Sequence, residues 1–194
     1  MDKSYAIRTK NDMQDVLADP LASGPETFYH MVRGGTDRTN ITIWNSGLVG
    51  DEYIKSYGHY HVGKLGETYT VLQGEGIVIF QERAIDVNGI PKDDEIVSFR
   101  ALYVRPGDKV RLEPTVGHLA INVGDIWLVT SDDSPVNLEE KQGVSFPSHA
   151  DYEPFRKLRG AAYYVVRGID GKPTLKRNMN YKIVPEASIE GMTV

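Results

Sequence analysis

The sequence predicts an all-β fold, a sandwich or a barrel, on three observations. First, short β-branched, aromatic or alternating runs recur: Thr39 to Trp44, Glu67 to Gln73, Ile77 to Gln81, Val97 to Val104, Val110 to Leu112, His118 to Val123 and Ile126 to Thr130. Second, turn residues punctuate these runs at close intervals, drawn from 19 glycines and 10 prolines. Third, only one stretch has helical periodicity. That is Asn11 to Asp19, where Met13, Val16 and Leu17 stand at i, i+3 and i+4.

Taken in order, the short N-terminal helix is capped by Asn11 or Asp12 and stopped at Pro20, and its apolar stripe packs outside a sheet. Pro20 to Pro25 is a loop. Phe28 to Val32 reads as a strand in which His30 is structural, and Gly34-Gly35 ends it. Asn45 to Gly50 turns, and Asp51 to His61 leads into the next strand. Gly63 and Gly66 allow a turn before Glu67. Gly74-Glu75-Gly76 is a hairpin connection, and the polar stretch Asp86 to Glu95 is an exposed loop. Arg105-Pro-Gly-Asp108 and Gly124-Asp125 are turns, and Pro114 is a bend. Ser131 to Pro147 is polar and irregular. Ala161 to Arg167 is a late strand, turned back at Ile169 to Lys172 toward Thr174 to Lys176. Residues Glu186 to Val194 look weakly ordered. No repeat or linker interrupts the chain, so one domain over 1–194 is expected, with a core at about 39–131 and terminal extensions packed on it.

Composition narrows the function. Of 194 residues, 40% are hydrophobic and 25% charged, an ordinary globular balance. A net charge of -5 argues against a nucleic-acid or anionic-membrane surface. There is no cysteine, which excludes disulfides and thiolate ligands. The N-terminal residues lack an apolar signal core, and no apolar run reaches the ~20 residues of a membrane span. A cytoplasmic protein is the expectation.

The chemistry concentrates between Gly58 and Gly76. His59 and His61 are two apart, so a strand points both imidazoles to one face. Glu67 opens the following strand, and His118 lies on a later one. Three imidazoles and a carboxylate make a candidate metal site without sulfur. Four protein ligands leave two positions on an octahedral ion. That suits Fe(II), Mn(II) or Ni(II) better than tetrahedral Zn(II).

His59 through Gly76, then Arg105-Pro-Gly-Asp108 and Pro114 to Asn122, resemble the two motif blocks of the cupin superfamily. Gly50-Asp-Glu-Tyr53-Ile-Lys-Ser-Tyr-Gly-His59-Tyr-His61 with Glu67-Thr-Tyr69, His149-Ala-Asp-Tyr152 and Asn178-Met-Asn-Tyr-Lys182 narrows this. It is similar to the cupin-type glucose-6-phosphate isomerases of archaea and some bacteria. The resemblance implies a double-stranded β-helix barrel with His59, His61, Glu67 and His118 as ligands in its mouth. It implies one divalent ion per subunit, Fe(II) first, with Mn(II), Ni(II) or Zn(II) as alternatives. It also implies a phosphorylated sugar as substrate, a homodimer, and Thr42, Ser56 and the Gly58 backbone around the phosphate. Tyr69, His149 and Tyr152 are then expected on the sugar. The spacing between His149 and Tyr152 departs from the family pattern, which leaves open which of them enters the pocket. Glu67 is either a base as well as a ligand, or a ligand only. Lys55 alternates away from Ser56 and is expected to face solvent. Glu52 and Tyr53 belong to the signature without an evident chemical role. The other readings are a cupin dioxygenase, which needs an apolar pocket, and a non-catalytic sugar-binding cupin, which often lacks one or more of the ligands.

Overall fold

In the computed structural model, which describes residues 5–34, 40–138 and 144–192, the predicted alternation becomes two main sheets whose buried faces share one hydrophobic cluster. The chain begins with β1 (Tyr5–Thr9), antiparallel to β2 (Thr27–Val32). Between them lies α1 (Lys10–Met13), continued by a 3-10 turn over Gln14–Val16. The cap is Thr9, two or three residues earlier than expected. Its hydroxyl accepts from the Asp12 N–H, and the Asp12 carboxylate accepts from the Thr9 N–H, a reciprocal capping box. Met13, Val16 and Leu17 are fully buried, as their spacing required.

Next come β3 (Asn40–Trp44), β4 (Leu48–Val49), β5 (Glu52–Tyr53), β6 (Tyr60–His61) and β7 (Glu67–Gln73). They are followed by β8 (Gly76–Ile85), β9 (Pro91–Val104), β10 (Lys109–Leu112), β11 (Gly117–Asn122) and β12 (Leu128–Asp132). One sheet runs β1-β2-β3-β12-β7-β10, and the other contains β11, β8 and β9. From β7 to β12 the chain therefore crosses between the sheets repeatedly. This winding is the double-stranded β-helix. The last part adds β13 (Ala150–Asp151), α2 (Glu153–Lys157), β14 (Tyr163–Arg167), β15 (Pro173–Arg177) and β16 (Ile189–Glu190).

Three segments depart from expectation. The polar stretch 86–95 is a loop only at its start. The Asp86 carboxylate accepts from the N–H groups of Asn88 and Ile90, closing a tight turn, and Lys92 to Glu95 already belong to β9. A cross-strand pair, Arg83 to Asp93 at 2.6 Å, replaces hydrophobic alternation there. The C-terminal stretch is held: β16 pairs parallel with β9, and Glu190 takes both ends of the Arg100 guanidinium at 3.0 and 2.8 Å. Helix α2 was missed because five residues carry no period to read.

The β7–β8 hairpin turns at Gly74, which has φ +79° and would place a Cβ 2.4 Å from the Trp127 carbonyl oxygen. The contact is with backbone, so only a shift of the chain itself can relieve it. Gly74→Ala is expected to destabilise the fold by about 2 kcal/mol or more. Urea unfolding checks this: the midpoint falls while the m-value holds.

Candidate metal centre

His59 sits opposite His118 in an isolated antiparallel bridge, with N–H donated each way at 3.2 and 3.0 Å. That bridge sets their rings 4.4 Å apart. His61 follows on β6, with its ring 5.2 Å from His59 and 4.9 Å from His118. Glu67 heads β7 and brings its carboxylate to the same point, 3.1 Å from His118 Nε2. One candidate ligand atom from each of the four residues falls within 4.8 Å of all the others. A shared ion about 2.0–2.2 Å from each requires separations up to about 4.4 Å, so the set stands within a few tenths of an ångström of coordination.

The second bonds of two of these rings prepare them for a cation. His61 Nδ1 contacts the Leu65 carbonyl at 2.7 Å, and His118 Nδ1 the Val116 carbonyl at 3.2 Å. A carbonyl only accepts, so each Nδ1 carries the proton and each Nε2 presents a lone pair. The Nε2 atoms of His59, His61 and His118 and Glu67 Oε1 are buried without a hydrogen-bond partner among the described residues. Four orphaned acceptors converging on one point are satisfied together by a divalent cation. Burial, then the neighbouring His118, lowers the His59 pKa well below the ordinary imidazole value. Burial pushes the Glu67 carboxyl up, but the His118 and His61 imidazoles outweigh it and hold the group well below the usual carboxylate range. Neutral imidazole and ionised carboxylate are the forms that bind metal.

A pocket opens beside the cluster. His59, Glu67, Tyr69, Thr42, Ser56, Gly58, His149 and Tyr152 all line it. Both His149 and Tyr152 thus reach the same space. The reason is β13, which pairs Ala150 with His61 and carries one of the two residues on each side of it. The His149 ring is 5.8 Å from His61, and the Tyr152 ring 5.3 Å from His59. Burial lowers the His149 pKa and raises those of Tyr69 and Tyr152, and the Glu67 charge adds to the rise at Tyr69. His30 lies elsewhere, hydrogen-bonded to the Tyr5 hydroxyl at 2.7 Å.

Two groups escaped the sequence reading. Arg33, Asp132 and Ser134 also line the pocket, joined in a network with Asn40. Asp132 accepts from Asn40 Nδ2 at 2.7 Å, Arg33 Nη1 at 2.9 Å and the Ser134 hydroxyl at 2.5 Å. Extending the β12 alternation from Leu128 through Thr130 to Asp132 was the available signal. Lys55 was expected in solvent and is instead 3% exposed. Its ammonium meets the Glu52 carboxylate and the Val16 carbonyl and lies 4.9 Å over the Tyr164 ring. The alternation held, since Ser56 faces the pocket; the other face is simply not solvent.

A match to the family described as Glucose-6-phosphate isomerase (GPI) covers residues 29–184, and so every pocket residue named above. The chain belongs to that cupin-type family. No curated protein matches it. Similar solved structures include a predicted oxalate decarboxylase from Thermotoga maritima, 14% identical, with 68% of this chain and 90% of that one covered at a TM-score of 0.39. The capsular polysaccharide assembling protein CapF from Staphylococcus aureus is 19% identical, with 58% and 27% covered and a TM-score of 0.39. The Drosophila melanogaster CENP-C cupin domain is 12% identical, with 54% and 65% covered and a TM-score of 0.37. This chain thus spans about a quarter of the CapF chain and two thirds of the CENP-C one.

Proposed function

We propose that the protein is a metal-dependent aldose–ketose isomerase that interconverts glucose 6-phosphate and fructose 6-phosphate. The observation that carries this is the cluster of four orphaned ligand atoms opening onto a pocket walled by tyrosine, threonine, serine and histidine, in a chain of this family. Beside the apolar Met31, Trp44, Val136 and Val144, the hydroxyl and imidazole groups on the wall speak against the wholly apolar substrate of a cupin dioxygenase.

His59, His61, Glu67 and His118 would hold one divalent ion, Fe(II) first, with Mn(II), Ni(II) or Zn(II) as alternatives. Such an ion supplies Lewis acidity toward the sugar carbonyl and its neighbouring hydroxyl. The side chains supply the rest. Glu67, ionised at neutral pH, is the base for the C2 proton in an enediol route. In a hydride shift between C1 and C2 it would act as a ligand only. Tyr69 and Tyr152, kept protonated by burial, donate hydrogen bonds to sugar hydroxyls. His149, kept neutral, can accept a hydroxyl proton at one ring nitrogen and donate from the other. Thr42, Ser56 and the Gly58 backbone belong to the phosphate end. The reading also takes the chain as one cupin domain and includes a cytoplasmic homodimer. No helix among the described residues is long and apolar enough to cross a membrane.

The test is isomerisation of fructose 6-phosphate after EDTA treatment and separate return of Fe(II), Mn(II), Ni(II) or Zn(II). Turnover lost with the chelator and restored by one or two ions is the expected result. No turnover with any of them, in protein shown to bind metal, sinks the proposal.

A further inference from the structure

Strands β3 and β12 pair so that Thr42 stands opposite Thr130. Their inward faces carry Thr42 and Trp44 on one and Thr130 on the other, all buried and all lining the pocket. Two polar atoms on this wall are unused. Thr130 Oγ1 and Trp44 Nε1 are buried without a hydrogen-bond partner among the described residues, in side chains that are 2% and 3% exposed. Leaving buried donors unpaired is costly, and a fold keeps few of them. Outside the candidate metal cluster, the one other such atom among the described residues belongs to Glu52, which is paired with Lys55.

We infer that Thr130 and Trp44 are donors to the substrate phosphate, extending the cradle from Ser56 and Thr42 across to β12. This rests on the isomerase reading above. An indole N–H can only donate, so its partner must be an acceptor. The wall offers little net charge to compete, because the Arg33 guanidinium is already matched by Asp132. Neutral donors converging on a dianion are a sufficient phosphate site. The Ser56 hydroxyl, by contrast, already accepts from the Ala120 N–H at 3.0 Å and donates to the Ala120 carbonyl at 3.4 Å. Position agrees as well. Thr130 lies beside Val71, four residues along β7 from Glu67, roughly 13 Å of strand. Donors at that end and metal ligands at the other suit an open-chain sugar that reacts at C1–C2 and is charged at C6.

The test uses metal-loaded wild type, Thr130→Val, Thr130→Ser and Trp44→Phe, with fructose 6-phosphate kinetics and calorimetric titration of inorganic phosphate. Thr130→Val is expected to raise KM about tenfold or more with little change in kcat, because a bond to a charged oxygen is lost. Thr130→Ser, which keeps the hydroxyl, recovers most of the affinity. Trp44→Phe weakens phosphate binding in the same direction. A further readout separates binding from structure: Thr130→Val should melt no lower than wild type, since it removes an unpaired buried hydroxyl. If wild type turns over and Thr130→Val and Trp44→Phe keep its KM and phosphate affinity, the inference fails and the isomerase reading stands. If wild type never turns over yet the variants lose phosphate affinity, the anion site stands and the isomerase reading fails.

Discussion

His118→Ala is expected to abolish the proposed metal-dependent turnover, together with the thermal shift that a divalent ion should give the wild type. His118 is fully buried, contacts Glu67 at 3.1 Å and forms the two-way backbone bridge with His59. Removing its imidazole takes one of four candidate ligands from the set. An ion present at 100 to 1,000 times its dissociation constant stabilises a fold by about 2.7 to 4.1 kcal/mol. That is the margin expected for wild type on metal addition and expected to be missing in the variant. The comparison is made within each protein, with and without metal, so the packing cost of the truncation cancels. Acid should lower the stability of the fold as well. His59 titrates well below the ordinary imidazole value when folded, so the unfolded chain takes up its proton first as pH falls. Stability from this group is complete above about 6.5 and declines below it, toward the folded pKa. Metal affinity falls only once the pH approaches that folded pKa, because the ligand must be neutral in the native protein. Differential scanning calorimetry of both proteins, with and without Mn(II), checks this. An equal metal shift in His118→Ala would remove His118 from the ligand set.

Most of the candidate metal cluster was legible in the sequence because the constraints on His59, His61 and Glu67 are local. A two-residue spacing on a strand decides that His59 and His61 share a face, and glycines on either side decide where Glu67 can return. His118 needed the longer motif, since its partner strand lies far away in sequence. The strands β7 and β8 were readable for the same reason, each being a run bounded by glycine or a turn. What stayed hidden depended on distant partners. The Asp132 network joins β12 to Arg33 and Asn40, nearly a hundred residues earlier, so the β12 alternation could put Asp132 on the inward face but could not name its partners. The polar start of β9 looked like a loop because Asp93 and Arg83 replace apolar pairing with charge. Lys55 was misjudged on the ordinary rule that a lysine opposite a pocket-facing residue points outward. That rule fails once extensions cover the outer face.

Those extensions are what Lys55 binds together, and breaking its ion pair should be the largest purely structural effect in the chain. Its ammonium reaches the Val16 carbonyl beside α1, the Glu52 carboxylate on β5 and the Tyr164 ring on β14. Glu52 also accepts from the Ala18 N–H at 2.8 Å. Both charged residues are 3% exposed, so neither can turn to water if the other is removed. Lys55→Met leaves a buried carboxylate with one neutral donor, and a loss of about 3–5 kcal/mol is expected. Glu52→Gln strands the ammonium and should cost a similar amount. The double substitution should cost clearly less than the sum, because apolar and neutral groups can share the space without an unpaired charge. Function follows the same bond: Ser56 is the next residue and Gly58 lies two beyond it, so loosening Lys55 moves the wall of the pocket. Urea midpoints of the two single variants and the double one measure the coupling. A single-variant loss under about 1 kcal/mol, within the range of exposed pairs, would mean that the extensions are held by their apolar contacts alone.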